Sequence, residues 1–230
     1  MSAAQPSAMV PAPSAPDDRS QEEALALCRV MAAIHQRGWC DGTGGNFSVV
    51  LSRTPLELLM APSGVDKGTV APADLIVVDE EGQVIRGSGK ASAETLLHLA
   101  ILSSTHAAAV LHTHSQAATL LSRLEVERTG QVVVGGLEML KGLEGIRSHA
   151  GQIAIPVLPN SQDMEQLSEA ARPLLAQAPH GLLIAGHGLY AWGTSLAQAQ
   201  RHLEILEFLL EQQWRQLLLE ALRPTASPTS

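Results

Sequence analysis

Apolar residues in this chain come in short runs, each closed by a turn residue or a histidine. Asn46–Leu51, Leu56–Met60, Leu75–Val78, Gln83–Ile85, Ala107–Thr113, Val132–Val134, Ile153–Leu158 and Gly181–Ala185 are all of strand length. Between them lie longer stretches with helical spacing of apolar residues: from Ser20 to Gly38, Ser92–Leu102, Ser115–Leu124, Gln162–Gln177 and Ser195–Leu222. Strands and helices alternate without a regular strand–helix–strand rhythm, and tight turns join several strands. That combination predicts one mixed α/β domain, a central and mostly antiparallel sheet covered by helices.

Local punctuation supports these boundaries. Ser20 followed by Glu23 has the capping-box spacing, and Gly38 is a natural helix stop. Asp79-Glu80-Glu81-Gly82 makes a hairpin loop between two apolar runs. Pro173 falls inside a helical stretch and is expected to kink it. The ends, 1–18 and 223–230, are rich in Ala, Pro and Ser and are expected to be disordered, leaving 19–222 as the folded domain.

Composition narrows the function classes. The chain has 230 residues, 45% apolar and only 3% aromatic, so its core must be built mainly from Leu, Val, Ile and Ala. A formal charge of −8 argues against a nucleic-acid partner. It leaves a small anionic substrate open, because a pocket can be positive on an acidic protein. Two cysteines, Cys28 and Cys40, are too few for a disulfide framework and fit a reducing, cytoplasmic location. No apolar run approaches the roughly 20 residues that span a bilayer, and no secretory leader is visible at the N-terminus, so no membrane partner is expected.

The strongest chemical signal is Leu111-His112-Thr113-His114-Ser115. Residues two apart on a strand share a face, with Cα atoms about 7 Å apart, so His112 and His114 can converge on one ion. Alone, such a pair is as well explained by a polar strand end. A second run, Ile184-Ala185-Gly186-His187-Gly188, sets His187 between glycines after another buried strand, a fitting place for a third ligand. Three neutral imidazoles with an open fourth position describe a catalytic zinc site (Zn2+) rather than a closed structural one. His35, His98, His106, His180 and His202 are read as surface or packing residues, and His149 is left undecided.

Anion-binding and acid–base candidates surround this trio. The loop Gly42-Thr43-Gly44-Gly45-Asn46-Phe47-Ser48 can turn backbone N–H groups toward an oxyanion, with Asn46 and Ser48 adding donors. Ser63 and Gly64, with Lys67 nearby, form a second candidate. Ser92 opens a predicted helix, whose N-terminus favours an anion. Glu94 in that first turn reads either as a dipole-stabilising surface acid or as a functional carboxylate. Glu138, between Leu137 and Met139, reads either as a solvated surface residue or as a partly buried general acid/base.

Taken in order, Gly45-Asn46-Phe47-Ser48, Lys90-Ala91-Ser92-Ala93-Glu94, His112-Thr113-His114 and Gly186-His187-Gly188 resemble the successive motifs of the class II aldolase/adducin family, over about Ser20 to Leu222. The longer strings Trp39–Ser48, Ser92–His98 and Gly186–Gly193 resemble those of its sugar-phosphate dehydratases. The resemblance implies a single three-layer α/β/α domain that assembles as a homotetramer, with active sites near subunit interfaces. It implies a small phosphorylated keto-sugar as substrate and zinc on His112, His114 and His187. It places Gly45, Asn46, Ser63, Gly64 and Ser92 around the phosphate, and makes Glu138 and Glu94 the catalytic carboxylates. The rival activities are those of an aldolase or epimerase on another sugar phosphate. A non-catalytic adducin-like interaction module is a rival of a different class, and one that would not need all three histidines.

Overall fold

The computed structural model describes residues 18–223. The tails expected at 1–18 and 223–230 therefore lie outside the described residues, except Asp18, which is helical, and Arg223. The elements run α1 (Asp18–Gln36), β1 (Asn46–Arg53), β2 (Leu56–Met60), β3 (Ile76–Val78), β4 (Val84–Arg86), α2 (Thr95–Ser104), β5 (Ala109–Thr113), α3 (Gln116–Glu125), β6 (Gln131–Gly135), β7 (Gln152–Leu158), α4 (Met164–Leu175), β8 (Gly181–Ile184), β9 (Gly188–Gly193) and α5 (Leu196–Ala221). Short 3-10 turns sit at Pro72–Asp74 and Glu138–Gly142.

The strands form one nine-stranded sheet in the order β4-β3-β2-β1-β5-β9-β8-β7-β6. Only β7 and β8 pair in parallel; every other neighbouring pair is antiparallel. Strand alternation divides the core in two. Phe47, Val49, Ala109, Leu111, Leu189 and Ala191 face α1, α3 and α5. Val50, Val110, Leu182, Tyr190 and Trp192 face α2 and α4. The result is the expected helix–sheet–helix stack, with the pairing β1-β5-β9 at its centre.

Helix ends follow local chemistry in most places. Past α1, Gly38 takes a left-handed φ of +71°, and its N–H bonds to His35 O while Trp39 N–H reaches back to Ile34 O, the bonding of a glycine-terminated helix. Ser115 and Ser195 cap α3 and α5, each accepting from the backbone N–H three residues on.

Four expectations need correction. The first helix already runs at Asp18, so Ser20 lies within it and is not its cap. The second helix begins at Thr95, not at Ser92; Ala93 and Glu94 form a turn ahead of it, closed by Thr95 N–H to Ser92 O at 3.1 Å. The helix expected over Gln162–Gln177 runs Met164–Leu175, with Pro173 two residues before its end. Gly188–Gly193, read from sequence only as the surroundings of His187, is a fully buried strand.

Candidate metal centre

Register explains which side chains meet. On the α2 face, His112 of β5 stands opposite Asn46 of β1 and Tyr190 of β9. The next row down pairs Val110 with Ser48 and Trp192. Turning from Glu94 into α2 places Glu94 and His98 one helical turn apart above these rows. Asn46 Nδ2 donates a short hydrogen bond to Glu94 Oε2, and Ser48 Oγ is 2.7 Å from His98 Nδ1. Asn46 thus bonds from the sheet to the carboxylate.

His187 arrives from the opposite direction. Ala185, Gly186 and His187 form the tight turn between β8 and β9, with Gly186 at φ +64°. Helix α3 fixes that turn: Gly186 N–H donates to Ser122 Oγ at 3.1 Å, and Thr119 Oγ1 donates to His187 O at 3.1 Å. His114 lies just past β5, its N–H bonded to Trp39 O at 2.7 Å. Its ring packs against Gly44, where a Cβ would stand 2.8 Å from His114 Nδ1. A Cβ on Gly45 (φ +78°) would meet His112 O at 2.7 Å. The glycine-rich loop is therefore glycine-rich at least partly because two histidine residues lie against it.

Glu94, His112, His114 and His187 each offer one ligand atom, all within 4.8 Å of one another. His112 Nε2 is 2.9 Å from His114 Nε2 and 3.3 Å from His187 Nε2. Two imidazole nitrogens on one tetrahedral zinc, each about 2.0–2.1 Å from it, stand about 3.4 Å apart. The donor set therefore fits a first-row divalent ion without large rearrangement. The rings cross at 67°, 90° and 60°, so their in-plane lone pairs can converge. His112 Nδ1 donates to the Leu189 carbonyl at 3.0 Å, which leaves Nε2 as the bare nitrogen. Tyr190 stacks on His112 at 3.9 Å and 12°, filling the space behind it.

Protonation suits a ligand role. Burial, first among the causes, pushes His112 well below the usual histidine range and lowers His114 as well, so both are neutral near pH 7. Burial works to raise Glu94, but the hydrogen bond with His187 and the nearness of His112 and His114 outweigh it and hold the carboxyl down at about 2. Glu94 Oε1 lies 2.9 Å from His187 Nε2.

Among the described residues a second group, Glu144, His180 and His202, also brings its ligand atoms within 4.8 Å of one another. Its two imidazoles stack at 4.2 Å with only 24° between planes. Nearly parallel rings cannot aim in-plane lone pairs at one ion, so this group does not fit a shared metal.

An open groove of about 1380 Å3 borders the cluster, lined by Ser63, Lys90, Ser92, Glu94, Gly186 and His187 among others. Two of the sequence candidates for anion binding, Ser63 and Ser92, fall there. Gly64 (φ +78°) adjoins Ser63 with open space where a side chain would lie. Sequence reading missed Lys90 as a cation of this groove, although it stands two residues before Ser92. Lys67 is buried instead: its Nζ donates to Thr43 O and Val65 O, 3.0 Å each, tying the two glycine-bearing loops together.

Glu138 is not brought to the cluster within one chain. It lies on the Glu138–Gly142 turn with its side chain 71% exposed, 2.5 Å from Lys141 Nζ and 3.5 Å from His149 Nδ1. Its neighbour Met139 lines a groove of about 730 Å3 with Trp39, Ser115 and Gln116, beside the His114 backbone. His98, read as a packing residue, is one: it is fully buried against Ser48 and Tyr190.

Residues 25–214 match the family described as Class II Aldolase and Adducin N-terminal domain. The chain is 40% identical over 205 residues to methylthioribulose-1-phosphate dehydratase of Yersinia enterocolitica, covering 86% of this chain and 96% of that one. It is 42% identical over 202 residues to the enzyme of the same name from Methylococcus capsulatus, again covering 86% and 96%. Among solved structures, YgbL of Escherichia coli superposes with a TM-score of 0.75 at 26% identity, covering 92% of this chain and 95% of that one. The l-fuculose-1-phosphate aldolase of Thermus thermophilus shares the fold, with a TM-score of 0.71 at 24% identity over 88% and 100%. The chain belongs to the class II aldolase/adducin family.

Proposed function

We propose that this chain is a zinc-dependent methylthioribulose-1-phosphate dehydratase, converting 5-methylthioribulose 1-phosphate to 2,3-diketo-5-methylthiopentyl 1-phosphate in methionine salvage. Identity of 40% or more across nearly the whole length of relatives bearing that name supports the activity. The observation that carries the chemistry is the convergence of three imidazoles and one carboxylate beside an open groove.

In this reading His112, His114 and His187 hold zinc, which supplies Lewis acidity toward the substrate's ketone and neighbouring hydroxyl. Gly45, Asn46, Ser63, Gly64 and Ser92, with the Lys90 cation, receive the phosphate. Glu94, which accepts from Asn46 and stands within the ligand cluster, and Glu138 are the catalytic carboxylates of this reading. Glu138 accepts the C3 proton. The C4 hydroxyl then departs as water, and the resulting enol takes a proton at C4 to give the diketone. Glu138 would reach a site in the homotetramer, whose formation the exposed Phe208, Leu218, Leu219 and Leu222 of the α5 region support. No helix of the described residues is long and apolar enough to cross a membrane, which agrees with a cytoplasmic place of work.

The test is a zinc-dependent assay on 5-methylthioribulose 1-phosphate, with fuculose and ribulose phosphates as competing substrates. Turnover of the thiomethyl sugar alone supports the reading; cleavage of fuculose 1-phosphate instead would replace it with an aldolase. A Glu138→Gln variant is expected to keep its metal and lose about 10^2–10^4-fold in turnover. An unchanged rate would take the proton transfer away from Glu138.

A further inference from the structure

Glu207 of α5 is the only buried carboxyl among the described residues outside the intermediate-exposure groups, at 2% exposure. Its helix neighbours Leu206, Leu209 and Leu210 are core residues, so an apolar side chain would be the ordinary occupant. Two hydroxyls hold the carboxyl. Thr113 Oγ1 donates to Glu207 Oε1 at 2.5 Å, and the Ser115 side chain hydrogen-bonds to it as well. Burial pushes Glu207 up to about 7, with the two hydroxyls opposing.

The placement of these partners is specific. Thr113 and Ser115 bracket His114, and Thr113 also follows His112 directly. Because side chains alternate along a strand, Thr113 faces α5 while His112 faces the metal cluster. Ser115 Oγ additionally accepts from Ala118 N–H at 3.2 Å, starting α3, the helix that fixes the His187 turn. One carboxyl therefore ties the junction between β5 and α3 to α5 from behind the sheet.

We propose that Glu207 is a positioning residue for the metal centre: by holding Thr113 and Ser115 from the far face, it fixes the backbone that aims His112 and His114. This rests on the reading of the histidine cluster as a metal site. Loss of the tether widens the spread of imidazole orientations in the metal-free protein, and weakens metal binding without touching a ligand.

The experiment titrates zinc into metal-stripped full-length protein against a chromophoric chelator, for wild type, Glu207→Leu, Thr113→Val and the double variant, alongside thermal melts of the metal-free forms. Each single variant is expected to bind zinc about 10-fold more weakly, in the range seen when hydrogen-bond partners behind ligands are removed. The double variant is expected to be no weaker than the worse single one, because both remove the same contact. Glu207→Gln, which keeps an acceptor oxygen, should stay within about threefold of wild type. Wild-type affinity in Thr113→Val and Glu207→Leu, whatever their melts, would reduce Glu207 to a core residue and overturn the proposal, as would fully multiplicative losses in the double variant. Should Glu207→Leu fail to fold, Thr113→Val reads the same contact. Failure of wild type itself to bind zinc would dispose of the metal reading, a separable result.

Discussion

Replacing His112 by Ala is expected to remove the metal and the activity together. His112 is fully buried and central: its Nε2 lies near both His114 and His187, its Nδ1 is spent on Leu189 O, and Tyr190 covers its face. Two imidazoles and Glu94 remain after the change, but the central nitrogen that lies within 3.3 Å of both other imidazole nitrogens is gone. The loss in affinity should exceed the roughly 10–100-fold typical of outer hydrogen-bond partners. Losing several kcal/mol of charge stabilisation corresponds to a rate at least about 10^3-fold lower. Metal analysis with steady-state kinetics checks both. Because His112→Ala also leaves a cavity and an unpaired Leu189 carbonyl, His187→Ala is the companion: that side chain is 21% exposed, and its loss should weaken metal binding, with His112, His114 and Glu94 still in place and less effect on the fold. Full turnover by metal-free His112→Ala protein would end the account of the chemistry.

Gly188→Ala should be the most damaging single methyl in this region. A Cβ there would stand 1.9 Å from Thr113 O and 3.2 Å from His112 Cε1. Neither atom is the end of a flexible side chain, so β9 must move away from β5. The pairs Thr113–Leu189 and His112–Tyr190 weaken with it, and the His187 turn shifts. Overpacking against backbone puts the cost at about 3 kcal/mol or more. For a chain of this size that lowers the melting temperature by roughly 6–12 °C. A melt within a degree or two of wild type would show that the β5–β9 contact is looser than the structure has it.

How much of this was readable in advance follows from range. His112, His114 and His187 stood out because each closes a short apolar run, and a strand end is a local property. The antiparallel sheet followed from run length and turn residues, also local. The contact of Asn46 with Glu94, by contrast, depends on β1 pairing with β5, which no nearby residue announces. Ser92 looked like a helix start, and it does open a turn, with Glu94 N–H on Ser92 Oγ and Thr95 N–H on Ser92 O, that passes into helix only at Thr95. The strand at Gly188–Gly193 hid behind its glycines, of which Gly188 allows close approach to β5 and Gly193 to the first turn of α5. Glu138 stays on the surface of one chain, where Lys141 and His149 are its partners.

X-ray absorption at the zinc edge of the reconstituted full-length protein bears most directly on the idea that these imidazoles share one cation. Three nitrogen scatterers with imidazole multiple scattering at about 2.0–2.1 Å, plus at least one oxygen, are predicted, with one imidazole lost in His187→Ala. A sulfur shell near 2.3 Å, or a spectrum unchanged by that substitution, would place the metal elsewhere and contradict the account.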